Sequence, residues 1–207
     1  MYTLYTIPGS CSSAITVLLE KLQLEYTLVK REDVPNYSEL VPTNQVPALT
    51  LPDGQIVTEG AAIVLYLLEK HHSPMLPSNL SQKAEFLRWL MFDYATLHPA
   101  YGKMFAIQYR VKIAENEKIS VLKQLATSLS SLWAILDKEL ETKAFITGDQ
   151  PTIVDYLAVI YSSWGKNFQD IDITLGKNVE RLIKQVSSLP EFIAGCNKEN
   201  IEFAKTQ

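Results

Sequence analysis

A strand, a turn and a helix follow one another in residues 2–22, which read YTLYTIPGSCSSAITVLLEKL. Residues 2–7 are rich in aromatic and β-branched side chains and predict a strand, which the pair Pro8-Gly9 ends. Apolar side chains then recur at helical spacing and predict a helix over about 11–23. Cys11 is therefore expected in the first turn of a helix.

The chain continues with further short strands. A strand predicted at 26–29 completes a strand–helix–strand unit, which suggests a parallel βαβ arrangement. Residues 31–44 are polar and contain two prolines, so we expect an irregular connection with at most a short helix. The turn signal Pro52-Asp53-Gly54 predicts a hairpin over 48–57, and a helix over 58–70 follows.

Composition changes at residues 71–78, HHSPMLPS, where two prolines and two serines indicate a linker. The pattern beyond it is helical almost to the end, with leucines three or four residues apart from Leu122 to Leu140. Thr152 and Asp155 stand three apart before an apolar run, which is a capping-box pattern with Asp in place of the usual Glu.

Composition and charge argue against several classes of function. The chain has 207 residues, 47% of them apolar, and a formal net charge of −4 at pH 7, which argues against nonspecific nucleic-acid binding. The apolar stretches are shorter than the ~20 residues of a membrane span, and the start MYTLYTIPG shows no secretory signal. Cys11 and Cys196 fit neither a disulfide framework nor a zinc site. We expect a cytoplasmic protein without metal, membrane or nucleic acid.

Several motifs occur together in an order and at spacings that resemble a known enzyme family. They are Pro8 to Ser12, Gln45 to Leu49, Thr58 to Leu67, Trp89-Leu90 with Leu97-His98, and Gly148 to Asp155. The chain resembles a cytosolic glutathione transferase over essentially its whole length, with the closest similarity to the bacterial beta class.

The resemblance implies an α/β plus all-α fold. A thioredoxin-like, glutathione-binding domain would span 1–74 and an all-helical C-terminal domain 82–207, with a linker at about 71–81. It also implies a homodimer, for which the apolar pair Met91-Phe92 could serve either the core or the interface.

Cys11 stands where the beta class keeps its cysteine. Backbone N–H groups and the positive end of the helix dipole favour an anion there, so we expect a thiol more acidic than free cysteine. That field could equally stabilise a glutathione thiolate, with the hydroxyl of Ser10 or Ser12 nearby. The alternative is that Cys11 is a small buried apolar residue. Because residue 14 is Ala, no second thiol is placed to resolve a disulfide, although glutathione could do so.

Glutathione would be bound by residues from three segments. In the family a cis proline at Pro47 lets the backbone of Val46, which follows Gln45, pair with the peptide as an extra strand. The acidic residue and the next N–H, here Glu59 and Gly60, hold the γ-glutamyl end. The alternatives are an ordinary trans proline at a strand start and, for Glu59 taken alone, a solvated residue at a helix start.

The resemblance assigns the electrophile pocket to His98 and Trp164. An imidazole close to a thiol can polarise it or transfer a proton. A structural histidine and a core aromatic residue are the alternatives.

The chain departs from the beta-class pattern at several positions. Met91 replaces an asparagine that reaches the partner subunit's glutathione, Pro99 replaces a basic residue, and Asn44 stands where glycine is common. The basic residue that the resemblance leads us to expect at the glycyl carboxylate of glutathione is not identifiable from the sequence, and Lys30 and Arg31 are no more than candidates for it.

Three functions remain open from the sequence. The first is a glutathione transferase that joins the glutathione thiol to small hydrophobic electrophiles in detoxification. The second is a glutathione-dependent disulfide or peroxide reductase that uses Cys11 covalently. The third is a non-catalytic binding module of the same fold.

Overall fold

The structure, a computed structural model, describes residues 1–203. Its four-stranded sheet has the order β2-β1-β3-β4. The strands are β1 (Tyr2–Thr6), β2 (Tyr26–Lys30), β3 (Ala48–Thr50) and β4 (Ile56–Thr58). β1 pairs in parallel with β2 and antiparallel with β3, which pairs antiparallel with β4. The predicted βαβ unit and hairpin are confirmed.

Two helices lie between the strands, and seven more follow the sheet within the described residues. They are α1 (Ser12–Lys21), α2 (Tyr37–Leu40), α3 (Gly60–Lys70), α4 (Leu80–Phe92), α5 (His98–Tyr109), α6 (Glu115–Glu139), α7 (Ile153–Ser162), α8 (Lys177–Ser187) and α9 (Pro190–Glu199). Short 3-10 turns lie at Arg31–Asp33 and Ser163–Asn167, and a π-helical segment at Asp93–Leu97. The predicted fold class, a thioredoxin-like half followed by a helical half, is confirmed. Residues 204–207 of the predicted helical domain lie outside the described residues.

Two helices begin later than the sequence predicted. α1 begins at Ser12, with Cys11 as its N-cap. α3 begins at Gly60, because Thr58 still pairs with Ala48 in the sheet and Glu59 adopts a φ of 66° that interrupts the helix. Both differences place a candidate residue, Cys11 or Glu59, at the N-cap position of a helix.

The sheet half and the helical half pack together through α1. This helix lies against α7 and α9. A Cβ atom built on Gly195 of α9 would lie 2.9 Å from the side chain of Val17, so the close approach of these helices depends on a glycine.

The capping box at the start of α7 is confirmed. Asp155 Oδ2 accepts a hydrogen bond from the N–H of Thr152 at 2.7 Å, and Oδ1 accepts one from the N–H of Ile146 at 2.8 Å. Burial raises the pKa of Asp155 to about 6, against the lowering effect of these hydrogen bonds. Asp155 therefore fastens the preceding loop to α7.

Helix α6 is long and apolar enough to cross a membrane by length and composition alone. Its residues Leu122, Leu129 and Trp133 are buried in the core. A core helix of a folded protein meets the same criterion, so the expected absence of a membrane partner stays a prediction.

The π-helical segment between α4 and α5 buries an acidic residue. Asp93 is fully buried, and within residues 1–203 neither of its carboxylate oxygens has a hydrogen-bond partner. Burial, and to a smaller extent the charge of Asp155, raises the pKa of Asp93 well above its usual range. We expect a neutral carboxylic acid here at pH 7.

A raised carboxyl pKa makes stability depend on pH with a definite sign. The folded chain holds a proton on Asp93 that the unfolded chain releases near pH 4, so the free energy of unfolding should fall as pH rises from about 5 to about 8. Asp93→Asn keeps the group neutral and should flatten this dependence by up to about 1.4 kcal/mol per pH unit. Urea unfolding at several pH values measures both slopes. The exposed Asp149→Asn is the matched control, and equal slopes for all three proteins would contradict a protonated Asp93.

Candidate functional site

A cavity of about 260 Å³ lies between the loops of the sheet half and the start of α5. Its lining residues are Cys11, Thr43, Gln45, Val46, Pro47, Thr58, Glu59, Gly60, Ala61, Tyr94 and His98. The six residues expected to bind glutathione are therefore brought together, and His98 joins them from the helical half. Ser12 and Trp164 lie outside this set.

Cys11 forms one wall of the cavity at the N-cap of α1. The residue is only 6% exposed, and its Sγ donates a weak hydrogen bond to the carbonyl oxygen of Val46 at 3.7 Å. The start of α1, which would hold the sulfur of a bound peptide, is thus in contact with the loop at Val46, which would hold its backbone.

The expectation of an acidic Cys11 is wrong for the cavity as it stands. Burial raises the pKa of the thiol to about 12, and the charge of Glu59 acts in the same direction. Hydrogen bonds from the N–H groups of Cys11 and Ser12 and from the Ser10 hydroxyl oppose this shift without cancelling it. Desolvation outweighs the helix-end field because the sulfur is almost fully enclosed.

Ser12 lies behind the cavity rather than on its wall. Its fully buried hydroxyl is 2.6 Å from Thr6 Oγ1 and 2.8 Å from Ser10 Oγ. Ser12 is therefore not placed for the catalytic contact that the sequence suggested. Its hydroxyl instead supports the neighbouring residues Thr6 and Ser10.

The chain of hydroxyls ends at a carboxylate that the sequence analysis did not identify. Thr6 Oγ1 donates to Oε1 of Glu199 at 3.1 Å, and Ser13 and Thr16 donate to the same carboxylate. Glu199 is 4% exposed at the end of α9, and burial raises its pKa. The helical half therefore holds the strand and the helix on either side of the Pro8–Ser10 loop.

The loop opposite Cys11 contains a cis peptide bond between Val46 and Pro47, as the resemblance implied. The hydroxyl of Tyr37 donates to the carbonyl oxygen of Gln45 at 3.1 Å. The Gln45 side chain itself is exposed. The hydrogen bond from Tyr37 thus fixes the backbone of this loop, and the exposed Gln45 side chain remains available to contact a ligand.

Glu59 precedes α3 in a conformation rare for a residue with a side chain, with φ at 66°. Such strain persists only where the surrounding structure enforces it and is frequent at functional sites. The Glu59 side chain is exposed, and the buried Gly60 after it begins α3. A carboxylate and the N–H groups of the first turn of α3 thus meet at one edge of the cavity.

His98 is the half-buried first residue of α5. Its ring lies edge-on to the rings of Tyr161 and Trp164, with centroids at 5.6 and 5.3 Å. Burial lowers the pKa of His98, which favours the neutral imidazole at neutral pH. A neutral imidazole can accept a proton.

Trp164 lines a different and larger cavity of about 930 Å³, on the other side of the Pro8–Ser10 loop. Its Nε1 donates to the carbonyl oxygen of Gly9 at 2.7 Å, and the residue is 8% exposed. The ring contact between Trp164 and His98 therefore joins a lining residue of one cavity to a lining residue of the other.

The departures from the family pattern have local explanations. Asn44 has a φ of 57°, and asparagine tolerates this left-handed conformation better than most residues. Pro99 is the second residue of α5, which follows the π-helical segment directly, so its missing N–H leaves one hydrogen bond to the preceding turn unmade. The Arg31 Nε donates to Asn44 Oδ1 at 3.2 Å. Lys30 is exposed, and Met91 is 39% exposed.

Within the described residues, no group of three or more His, Cys, Asp or Glu side chains is placed to hold a metal ion. The absence of a metal from the chemistry stays a prediction.

Comparison with known protein families gives two matches, one in each half of the chain. Residues 9–70 match the glutathione S-transferase N-terminal domain and residues 91–190 the C-terminal domain. Glutathione S-transferase GST-4.5 of Xanthomonas campestris is 30% identical over 168 residues, which cover 78% of this chain and 81% of that protein. Disulfide-bond oxidoreductase YfcG of Escherichia coli K12 is 25% identical over 204 residues, which cover 92% of each protein.

Solved structures show the same fold over nearly the whole chain. A glutathione S-transferase from Xylella fastidiosa superposes with a TM-score of 0.86 at 22% identity, covering 98% of this chain and 100% of that one. A beta-class enzyme from Sphingomonas chungbukensis gives 0.82 at 23%, covering 97% and 100%. A sphingomonad glutathione S-transferase complexed with glutathione gives 0.82 at 24%, with the same coverage.

Burial of the two thiols predicts slow alkylation. Burial raises the pKa of Cys11 to about 12 and that of Cys196 to about 11, so little thiolate is present at pH 7.5. The native chain should react with iodoacetamide at least about a hundredfold more slowly than free cysteine, and the urea-unfolded chain at the ordinary rate. Peptide mass analysis, with Cys11→Ser as the control, assigns the modified thiol. Rapid native labelling of Cys11 would contradict the neutral thiol.

Proposed function

Since the chain belongs to the glutathione S-transferase family, we propose that it joins the glutathione thiol to small hydrophobic electrophiles. The observation that carries this proposal is the convergence of Cys11, Val46, Glu59 and His98 on one cavity. Each comes from a different segment of the chain, and each supplies a different group that the tripeptide requires.

The polar edge of the cavity suits the γ-glutamyl end of glutathione. The Glu59 carboxylate would bind the ammonium group, and the free N–H groups at the start of α3 would bind the carboxylate. The backbone of Val46 would pair with the cysteinyl residue. Arg31 is the better candidate for the glycyl carboxylate, because its bond to Asn44 holds it beside the loop that carries Gln45.

The sulfur of glutathione would lie beside Cys11. A neutral Cys11 thiol can turn from the Val46 carbonyl and donate to that sulfur, and the N–H groups at the start of α1 favour the anion. The neutral imidazole of His98 would accept the thiol proton. The sulfur then bonds to the electrophilic carbon, and the leaving group departs with the bonding electron pair.

The electrophile would approach from the aromatic side of the cavity. His98 meets Trp164 there, and Trp164 also lines the cavity of about 930 Å³ with apolar residues such as Phe105. A cavity of this size and lining suits small hydrophobic molecules.

The chain is further proposed to act in the cytoplasm, in detoxification, as a homodimer. Met91 on α4 is partly exposed, and Phe92 packs edge-on against Trp89. Met91 could therefore contribute apolar contact to a partner subunit, while Phe92 supports the helix from inside. Two-fold pairing is the most common oligomeric arrangement.

A glutathione-dependent reductase is the second candidate, because a relative bears the name disulfide-bond oxidoreductase. This chemistry needs a Cys11 thiolate, which the enclosed sulfur does not favour. Treatment with oxidised glutathione and mass analysis separate the two: a glutathionyl group on Cys11 supports the reductase. A binding module would bind glutathione without turnover of either kind.

Glu59 provides a test of where glutathione binds. Glu59→Gln removes the charge opposite the ammonium group and should weaken glutathione binding about ten- to hundredfold, since a hydrogen bond to a charged group contributes ~1.5–3 kcal/mol. Calorimetry measures the affinity. The exposed Glu39→Gln, in the same half of the chain, is the control and should bind as the parent does. Equal affinities for all three proteins would disprove this placement.

Cys11 variants test the reaction. With glutathione and a chlorinated nitroaromatic substrate, Cys11→Ser keeps a hydrogen-bond donor and should keep most of the activity. Cys11→Ala loses the donor and should lose about tenfold, the equivalent of roughly 1.4 kcal/mol. Chloride release and product absorbance measure the turnover. Complete loss in both variants would indicate a covalent role for Cys11, and no turnover by the parent would exclude this substrate class.

A further inference from the structure

The π-helical segment brings a second polar side chain to the cavity. Tyr94 and His98 are four residues apart across this segment, and both line the cavity. Asp93 and Leu97, the positions before them, are buried in the core. The segment thus presents one face to the core and a phenol and an imidazole to the candidate site, as π segments at functional sites often do.

The hydroxyl of Tyr94 has no hydrogen-bond partner among residues 1–203, and its oxygen is buried although the residue as a whole is partly exposed. A buried hydroxyl without a partner is unfavourable and rare in folded proteins. A partner supplied by a bound molecule removes this disadvantage.

The position of the Tyr94 hydroxyl is closely defined. A Cβ atom built on Gly60 would lie 2.4 Å from it, so the phenol packs directly on the first residue of α3. Gly60 and Cys11 line the same cavity. The hydroxyl therefore lies against the start of α3, in the wall of the cavity that also contains Cys11.

The phenol keeps its proton. Burial raises the pKa of Tyr94 well above its usual range, and Cys11 and Asp93 add to this effect. Tyr94 is therefore a hydrogen-bond donor throughout the neutral pH range, and an anion is the acceptor that it would bind most strongly.

We propose that the Tyr94 hydroxyl donates a hydrogen bond to the glutathione sulfur and stabilises its thiolate. The inference rests on the proposed function and adds a catalytic residue from the helical half of the chain. The sulfur would then be held by Tyr94 on one side and by the start of α1 on the other. Tyr94 itself gains and loses no proton.

Tyr161 provides a matched control. Its hydroxyl is also buried and, within the described residues, also without a partner. Its ring packs against His98 and Trp164, yet it lies outside the residues that line the cavity. Tyr94→Phe and Tyr161→Phe therefore delete the same group at similar burial, but only the first deletes it at the cavity.

The test is a titration of bound glutathione, followed by the ultraviolet absorbance of its thiolate. Tyr94→Phe should raise the apparent pKa of the bound thiol by about one unit or more, and Tyr161→Phe should leave it unchanged. Both variants should bind S-methylglutathione, which cannot form a thiolate, as the parent does. Thermal melting of Tyr94→Phe should be unchanged or higher, because no hydrogen bond within the chain is lost.

Each other outcome overturns the inference in a recognisable way. An unchanged thiol pKa in Tyr94→Phe, or equal shifts in both variants, removes the contact with the sulfur. Weaker binding of S-methylglutathione by Tyr94→Phe places the hydroxyl on another part of the tripeptide. If the parent binds glutathione but does not ionise it, the reaction mechanism fails as well, and if the parent binds none, the proposed function itself fails.

Discussion

The candidate site depends on one buried interaction between the two halves, the carboxylate of Glu199 with the hydroxyls of Thr6, Ser13 and Thr16. A carboxylate enclosed in protein is strongly unfavourable unless hydrogen bonds surround it. Three donors from β1 and α1 supply these bonds, so α9 can end only where both elements are in place. The loop between them carries Pro8 to Ser10 and leads directly into Cys11. The geometry of the sulfur site is thereby set by the packing of the whole molecule.

The exclusion of water from the packed site also decides the protonation states around the cavity. It keeps Cys11 a thiol, Tyr94 a phenol and His98 a neutral base, each for the reason that water is excluded. A thiolate bound beside Cys11 would therefore meet the neutral thiol there, while the Glu59 carboxylate lies at the edge of the cavity where α3 begins. This arrangement favours a thiolate brought by the substrate over one formed on Cys11, and it is the physical reason for preferring conjugation to a covalent reductase mechanism.

The sequence was most informative where local rules apply. The strand before Pro8-Gly9, the hairpin around Pro52-Asp53-Gly54 and the capping box at Asp155 each follow from neighbouring residues, and all are confirmed. The prediction of an acidic Cys11 was wrong. The position of a residue at a helix start indicates the electric field of the helix, whereas desolvation of the thiol depends on residues distant in sequence. Glu199 lies near the opposite end of the chain from the hydroxyls it binds.

The presence of Tyr94 in the cavity could not be predicted from the sequence, for a different reason. A sequence-based prediction assumes 3.6 residues per turn for the residues before His98. A π-helical segment has more residues per turn and therefore changes which side chains share a face. When the sequence is interpreted as an uninterrupted α-helix, an acidic residue at position 93 argues against a core position. In the structure, the π-helical segment encloses Asp93 as a neutral acid and turns Tyr94 toward Gly60.

The two halves thus contribute different kinds of group to the site. The sheet half supplies backbone and charge, in Val46 and in Glu59 with the start of α3, which suit the constant peptide part of glutathione. The helical half supplies aromatic and titratable side chains, in Tyr94, His98 and Trp164, which in the proposed function would face the sulfur and the second substrate. The departures at Met91 and Pro99 both lie in the helical half, outside the residues that line the cavity.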